Sequence, residues 1–347
     1  CLIQIAGPDQ EAFAIDVIAK DEDLDLTPLW ELMANQNILK VFHAARQDLE
    51  IIYQLSGSLP SPLYDTQIAA MVCGYGDQIG YEALVTDICK EKVDKSSQFT
   101  DWAHRPLSPK QISYALGDVI HLVDVYHHLN KKIAEKNRSH WVSEEMLGLL
   151  DKKLYDAPPR ESWRRLKLRA PKARDIAVLR ELAAWREEEA QRKDVPRGRI
   201  LKDETILDLT YQKPENEADL ARIRGISTDM AKGKTGKNIL EVIKIGMKIP
   251  EADCPKADVK VPLAPRLVPA VEMLKMLLRL QSAEHNVAAR LIASSDDIDD
   301  FVSHPSDKNL PINQGWRHEV FGSEAHDMLS GKVALTLEDG KINKHKS

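Results

Sequence analysis

SYALGDVIHLVDVYHHL, residues 113–129, is the stretch on which the reading of this chain turns. With Ile112 before it, the apolar residues Ala115, Leu116, Val119, Ile120, Val123 and Val125 recur with a helical rather than a strand rhythm. Tyr114 and Asp118 are four residues apart, so on a helix the phenol and the carboxylate share one face. A carboxylate can ligate a hard divalent cation, and a neighbouring phenol can orient water or help to deprotonate it. Taken alone, a Y-x3-D is more often a boundary tyrosine beside a surface aspartate. Its meaning rests on what surrounds it.

Upstream lies ILKVFHAARQDLEIIYQL, residues 38–55. ILKVF is a strand-length apolar run that ends at His43, and a helix with Leu49, Ile52 and Tyr53 inward follows it. Asp48 falls in the first turns of that helix, just past the strand end, where open α/β sheets place their ligands. An acid that complements the helix dipole would explain Asp48 equally well. CLIQIAG (1–7) and AFAIDVIA (12–19) read as further strands, and PLWELMANQN (28–37) as a helix. More helices are predicted around 44–55, 66–73, 80–90 and 108–133, so residues 1–150 form an α/β domain with helices covering a sheet.

Beyond Trp141 the pattern is almost wholly helical. A proline-broken, basic stretch over 151–171 reads as a connector; between Arg160 and Lys172 it carries six Lys or Arg against one Glu. Amphipathic helices then fill a first helical domain over 172–250, a Pro-rich linker spans 251–265, and a second helical domain covers 266–347. LIASSDDIDDFV in the second parallels RILKDETILDLT in the first, which marks an internal repeat.

The 347 residues suggest two or three domains, and a 43% hydrophobic content suffices for ordinary cores. No apolar run approaches the roughly 18 residues that a membrane span needs. Cys1, Cys73, Cys89 and Cys254 show no CxxC or ligand-like spacing, so they read as reduced thiols of a cytoplasmic protein. The net charge of −6 does not announce a nucleic-acid binder, but its distribution matters more. Residues 168–248 hold 18 basic and 14 acidic side chains, a locally basic middle suited to transient phosphate contact.

Between the two acidic motifs run PLYDTQIAAMVCGYG (62–76) and DKSSQFTDWAHRPLSPKQISYALGDV (94–119). Together, in this order, these segments resemble the ribonuclease D family, the tyrosine-type branch of the DEDD 3′–5′ exonucleases. The two helical repeats resemble HRDC domains, of which ribonucleases D of this class carry two. The resemblance implies a ribonuclease H-like α/β exonuclease domain followed by two all-α HRDC-like domains. It also implies two-metal phosphodiester hydrolysis with Mg²⁺ or Mn²⁺, acting on RNA with a free 3′ end, tRNA precursors above all. No membrane and no obligate protein partner are implied.

By the same resemblance, Asp48 and Asp118 bind metal and Tyr114 positions the attacking water. Lys95, Trp102 and Arg105 are candidates to frame the substrate path. His43, at the strand end, is a further substrate-binding candidate but reads better as a satisfied buried histidine, and Asp65, which ends a strand-like run, as a support behind the site. The family's first motif, a D-x-E whose two acids also bind metal, is absent from the quoted segments. CLIQIAG resembles the strand that follows it, so the chain is expected to lack the first strand of the domain. Asp48-Leu49-Glu50 is a literal D-x-E, yet on a helix those acids point about 200° apart. Asp21-Glu22-Asp23 reads as a solvated turn. On this reading residues 1–347 bind RNA through their C-terminal half without degrading it. Two alternatives stay open: a non-catalytic single-stranded nucleic-acid-binding protein, and a DNA-directed 3′–5′ exonuclease.

Overall fold

The computed structural model describes residues 2–19, 24–94, 96–156, 158–256 and 263–346. They divide into two compact units, Cys1–Tyr155 joined with Leu263–Ser347, and Asp156–Pro262. The first unit opens on β1 (Ile3–Ala6) and β2 (Ala12–Ile15), antiparallel with Ile3 opposite Ile15. After α1 (Thr27–Ala34), β3 (Lys40–Phe42) leads into α2 (Arg46–Ser56). β4 (Leu63–Asp65) pairs parallel with β3, Val41 opposite Tyr64. α3 (Thr66–Cys73), α4 (Tyr81–Cys89), α5 (Pro109–Ile120), α6 (Leu122–Glu135) and α7 (Ser139–Leu149) follow.

The three strands read from the sequence are present in shortened form. β4 is the strand-like run that ends at Asp65, though its three residues are too few to display alternation. The β1–β2 and β3–β4 ladders remain separate sheets. The helix expected over 108–133 is two helices that meet at His121, whose ψ of −3° departs from helical geometry. Ser108 starts α5 with a capping box, its side chain accepting from the Gln111 N–H.

The second unit packs α8 (Ala173–Lys193), α9 (Arg197–Ile200), α10 (Asp203–Gln212), α11 (Glu217–Leu220), α12 (Thr228–Lys232) and α13 (Lys234–Lys248). Leu179, Leu182, Ile206, Leu209 and Ile239 form its core. Arg186 is buried and its Nη1 donates to the Asp203 carboxylate at 2.6 Å and the Leu201 carbonyl at 3.1 Å, while its Nε finds no partner among the described residues. Gly246 lets α13 lie against α8, since a Cβ there would sit 2.7 Å from the Val178 Cα. The stretch 151–171 is not the free connector expected. Trp163 and Leu166, three residues apart, are buried in this core and draw their basic neighbours into the helical unit.

The remaining elements are α14 (Val268–His285), α15 (Ala289–Ile292), α16 (Ser295–Ser303), α17 (Gly315–Arg317) and α18 (Ser323–Leu329), with a π-helical turn over His318–Gly322. Locally, α14–α16 repeat α8–α10. Asp194 and Asn286 close the first helix of each set in the left-handed region, and Leu201 and Ala293 are extended before the third.

Two features depart from the expected free-standing, all-α second domain over 266–347. Its Leu274, Leu277, Phe301, Trp316 and Phe321 share one core with Met71, Leu129, Trp141 and Met146 of the α/β part. The Trp141 and Trp316 rings stack at 4.6 Å, and the Ala288 N–H donates to the Met71 carbonyl at 3.0 Å. The chain also ends in a hairpin of β5 (Val333–Glu338) and β6 (Lys341–Lys346). Asp339 and Gly340 turn it at φ 47° and 74°, the Asp-Gly pair that such two-residue hairpin loops favour.

Candidate active site

The site begins at the carboxyl ends of β3 and β4. Asp65, 2% exposed at the end of β4, takes four backbone N–H bonds. Ala44 (3.1 Å) and Ala45 (2.8 Å) donate from the turn after β3, Gln67 (2.8 Å) and Ile68 (3.4 Å) from the first turn of α3. One carboxylate thereby fastens both strand-to-helix turns. Ala44 holds a φ of 57°, a left-handed conformation costly for a residue with a Cβ and tolerated because Asp65 pins its N–H. This sharp turn brings Asp48 into the first turn of α2.

Asp48 opens to solvent, yet the protein mass around it, and then the charge of Asp65, push its carboxyl above the ordinary carboxylate range. Asp118, half-buried on α5, is pushed the same way by burial. Among the described residues neither carboxylate has a hydrogen bond or an ion pair. Two acids whose charge the surrounding protein disfavours, with no counter-charge among the described residues, are what a cation would relieve, and their oxygens suit a hard one. Glu50 sits two residues beyond Asp48 on α2, so it belongs to another face of that helix, as its spacing implies.

Tyr114 lies one turn before Asp118 on α5, with its ring 5.6 Å from the Trp102 ring and tilted by 50°. Two sequence-chosen residues therefore meet. The Arg105 guanidinium grips Asp16 with Nη2 at 2.7 Å and through Nε, and Nη1 donates to the Trp102 and His104 carbonyls at 2.8 Å. That pairing raises Arg105 and lowers Asp16 from their ordinary pKa values. Arg105 ties the loop that carries Trp102 to the residue after β2. Lys95, the remaining candidate for the substrate path, lies outside the described residues, as do Asp21, Glu22 and Asp23.

His43 is fully engaged: Nδ1 lies 3.0 Å from Thr66 Oγ1 and Nε2 lies 3.1 Å from the Ile79 carbonyl. Burial lowers its pKa, which favours the neutral ring. Its ring meets Tyr81 edge-on at 5.7 Å, and the Tyr81 hydroxyl donates to the Gly117 carbonyl at 3.1 Å. Burial pushes the Tyr81 phenol up, and the Asp118 charge acts in the same direction. His43 and Tyr81 thus bridge the turn that bears Asp48 and the helix that bears Asp118. The sequence reading missed Tyr81, because no motif or spacing marks it.

The comparisons with known proteins bear on the same regions. Residues 1–134 match a family model described as 3′–5′ exonuclease, and residues 175–243 match an HRDC domain. A protein named ribonuclease D from Bartonella henselae is 43% identical over 343 residues, covering 99% of this chain and 84% of its own length. One of the same name from Acidiphilium cryptum is 45% identical, covering 99% and 86%. Among solved structures, the Escherichia coli RNase D, titled an exoribonuclease involved in structured RNA processing, superposes with a TM-score of 0.75. It is 27% identical and covers 89% of this chain and 83% of its own.

Proposed function

The chain belongs to the ribonuclease D family, and from that membership we propose how its own residues carry out the work of a 3′–5′ exoribonuclease. It carries a 3′–5′ exonuclease domain and an HRDC domain, and on this reading it is a hydrolase that works with divalent metal ions. The observation that carries the site assignment is a pair of carboxylates with raised pKa values, Asp48 and Asp118, neither partnered among the described residues, with Tyr114 one turn from the latter.

Asp48 and Asp118 would hold the metal ions, Mg²⁺ or Mn²⁺ by their oxygen donors. Such ions neutralise charge on the phosphodiester and lower the pKa of bound water. Tyr114 orients the water, and Trp102 against its ring restricts the phenol to that task. Arg105, engaged with Asp16, holds the Trp102 loop in place and shapes the substrate path without needing a free guanidinium. His43 and Tyr81 keep the two acidic elements aligned. Lys95, which lies outside the described residues, is proposed to add a phosphate contact. These two carboxylates are fewer than a two-metal site employs, and the D-x-E of the family is the natural source of the rest.

The preferred substrate is RNA with a free 3′ end, tRNA precursors in particular. α14–α16 act as a second HRDC-like copy, a reading supported by the helix order and cap conformations they share with α8–α10. The basic second unit grips the phosphates, a salt-dependent and sequence-tolerant contact. The protein works in the cytoplasm, where its free Cys73, Cys89 and Cys254 would stay reduced. Among the described residues no helix is long and apolar enough to cross a membrane.

Asp118→Asn tests the assignment. An amide is a poorer ligand for a hard cation, so divalent-metal-dependent release of 3′ nucleotides should collapse while the far-ultraviolet circular dichroism is unchanged. Near-normal release by the folded variant would refute it. Matched RNA and DNA strands in the same assay separate RNA-directed from DNA-directed activity.

A further inference from the structure

Cys89, His121 and Asp124 converge where the end of α4 meets the α5–α6 break. Cys89 is the last residue of α4, His121 sits at the break between α5 and α6, and Asp124 is in the first turn of α6. One donor atom from each lies within 4.8 Å of the other two. His121 and Asp124 are three residues apart and share a helix face, so two ligands come from one element and the third from another. The thiol and the imidazole are half-buried and the carboxylate is exposed. Among the described residues neither the thiol nor the imidazole makes a hydrogen bond, although three polar groups are gathered in one place. Asp124 Oδ2 accepts from Gln10 Nε2 at 2.8 Å, which fixes the carboxylate and leaves its other oxygen available.

We propose that Cys89, His121 and Asp124 form a zinc site, distinct from the divalent-metal site of catalysis, that staples α4 to the α5–α6 break. Sulfur, nitrogen and oxygen donors together suit Zn²⁺ and disfavour Mg²⁺, which takes oxygen ligands alone. A tetrahedral zinc with bonds of about 2.0–2.3 Å needs its donors roughly 3.3–3.8 Å apart, so small rotations of exposed Asp124 and half-buried Cys89 close the site. The thiol loses its proton to solvent when the sulfur–zinc bond forms, and water takes the fourth position.

The other end of α4 carries Tyr81, whose hydroxyl holds Gly117 next to Asp118. Zinc at the far end fixes both ends of α4 against the α5–α6 segment. Its role toward Asp118 and Tyr114 is one of positioning.

Cobalt(II) is the probe, because only a thiolate ligand yields a near-ultraviolet sulfur-to-cobalt charge-transfer band. Metal-stripped full chain titrated with Co²⁺ in excess Mg²⁺ should develop that band to a single equivalent, and Zn²⁺ should displace it. Cys89→Ser and His121→Ala should abolish it, whereas Asp118→Asn should retain it. Absence of the band in the wild-type chain, or its survival in Cys89→Ser, overturns the proposal. Should Cys89→Ser misfold, Asp124→Asn at an exposed position serves instead. It should keep the metal-free melting temperature and lose cobalt affinity, and an unchanged affinity overturns the site.

Discussion

The Tyr81 hydroxyl donates to the Gly117 carbonyl at 3.1 Å, one residue before Asp118, and thereby couples α4 to the helix that bears both Tyr114 and Asp118. A phenol used this way contributes about 0.5–1.5 kcal/mol net per hydrogen bond. Tyr81→Phe keeps the ring against His43 and removes the hydroxyl, with its bond to Gly117 and its backbone contact at His121. Its melting temperature should fall by a few degrees, and kcat should fall with KM nearly unchanged, since the bond sets the placement of Asp118. A matching loss of stability with kcat intact would reduce Tyr81 to a packing residue.

How far the site could be read in advance follows from the range of the interactions involved. Asp48, Tyr114 and Asp118 could be proposed from the sequence because each rests on local geometry, a strand-to-helix step or an i, i+4 pair. Tyr81 acts on a residue 36 positions away, and nothing in its neighbourhood announces that. Arg105 carries its charge for Asp16, 89 residues back, where the sequence suggested a substrate contact. The shared core behind Trp141 and Trp316 was hidden for the same reason: an amphipathic helix declares an apolar face but not its partner. The β5–β6 hairpin went unread, although Asp339-Gly340 with its flanking alternation signals it, because the helical run before it set the expectation.

The raised carboxyls make a prediction about stability and pH. A carboxyl whose pKa is higher in the folded chain binds protons more tightly there, so folding loses stability as pH rises from the unfolded to the folded pKa. The cost is fully present above the folded value and vanishes below the ordinary one. Metal-free Asp118→Asn should therefore melt higher than the wild type at neutral pH, and the gap should close as pH falls through the carboxylate range. Divalent metal should raise the wild-type melting temperature more than that of the variant. Thermal melts across pH, with and without Mg²⁺, read both, and a gap that widens on acidification would mean the shift has the opposite sign.

The common core predicts cooperative unfolding across distant parts of the sequence. Trp316 is fully buried, stacks on Trp141 and donates from Nε1 to Glu145 at 3.0 Å. Truncating such a side chain costs about 3–5 kcal/mol. Trp316→Ala should expose the amides of α3 and α7 to hydrogen exchange together with those of α14 and α16, while those of α8 and α13 in the other unit keep their protection. Protection of α3 and α7 at wild-type levels would show that 263–346 folds by itself after all.

Tyr114 offers the sharpest distinction between packing and chemistry. Its ring is braced at 5.6 Å by Trp102, and Tyr114→Phe preserves that ring contact while deleting the hydroxyl. If the residue only packs, the variant should lose little of anything. If the hydroxyl orients the attacking water, turnover should drop roughly tenfold or more, the scale of a lost positioning or general-base group. Stability and substrate affinity should both hold, so the loss appears in kcat and not in KM. Trp102→Ala should mimic part of that kcat loss by freeing the phenol, and in the Tyr114→Phe background it should add little, because the group it braces is gone. Fully additive losses in the double variant would mean that the two aromatic residues act separately, and that Trp102 meets the RNA itself.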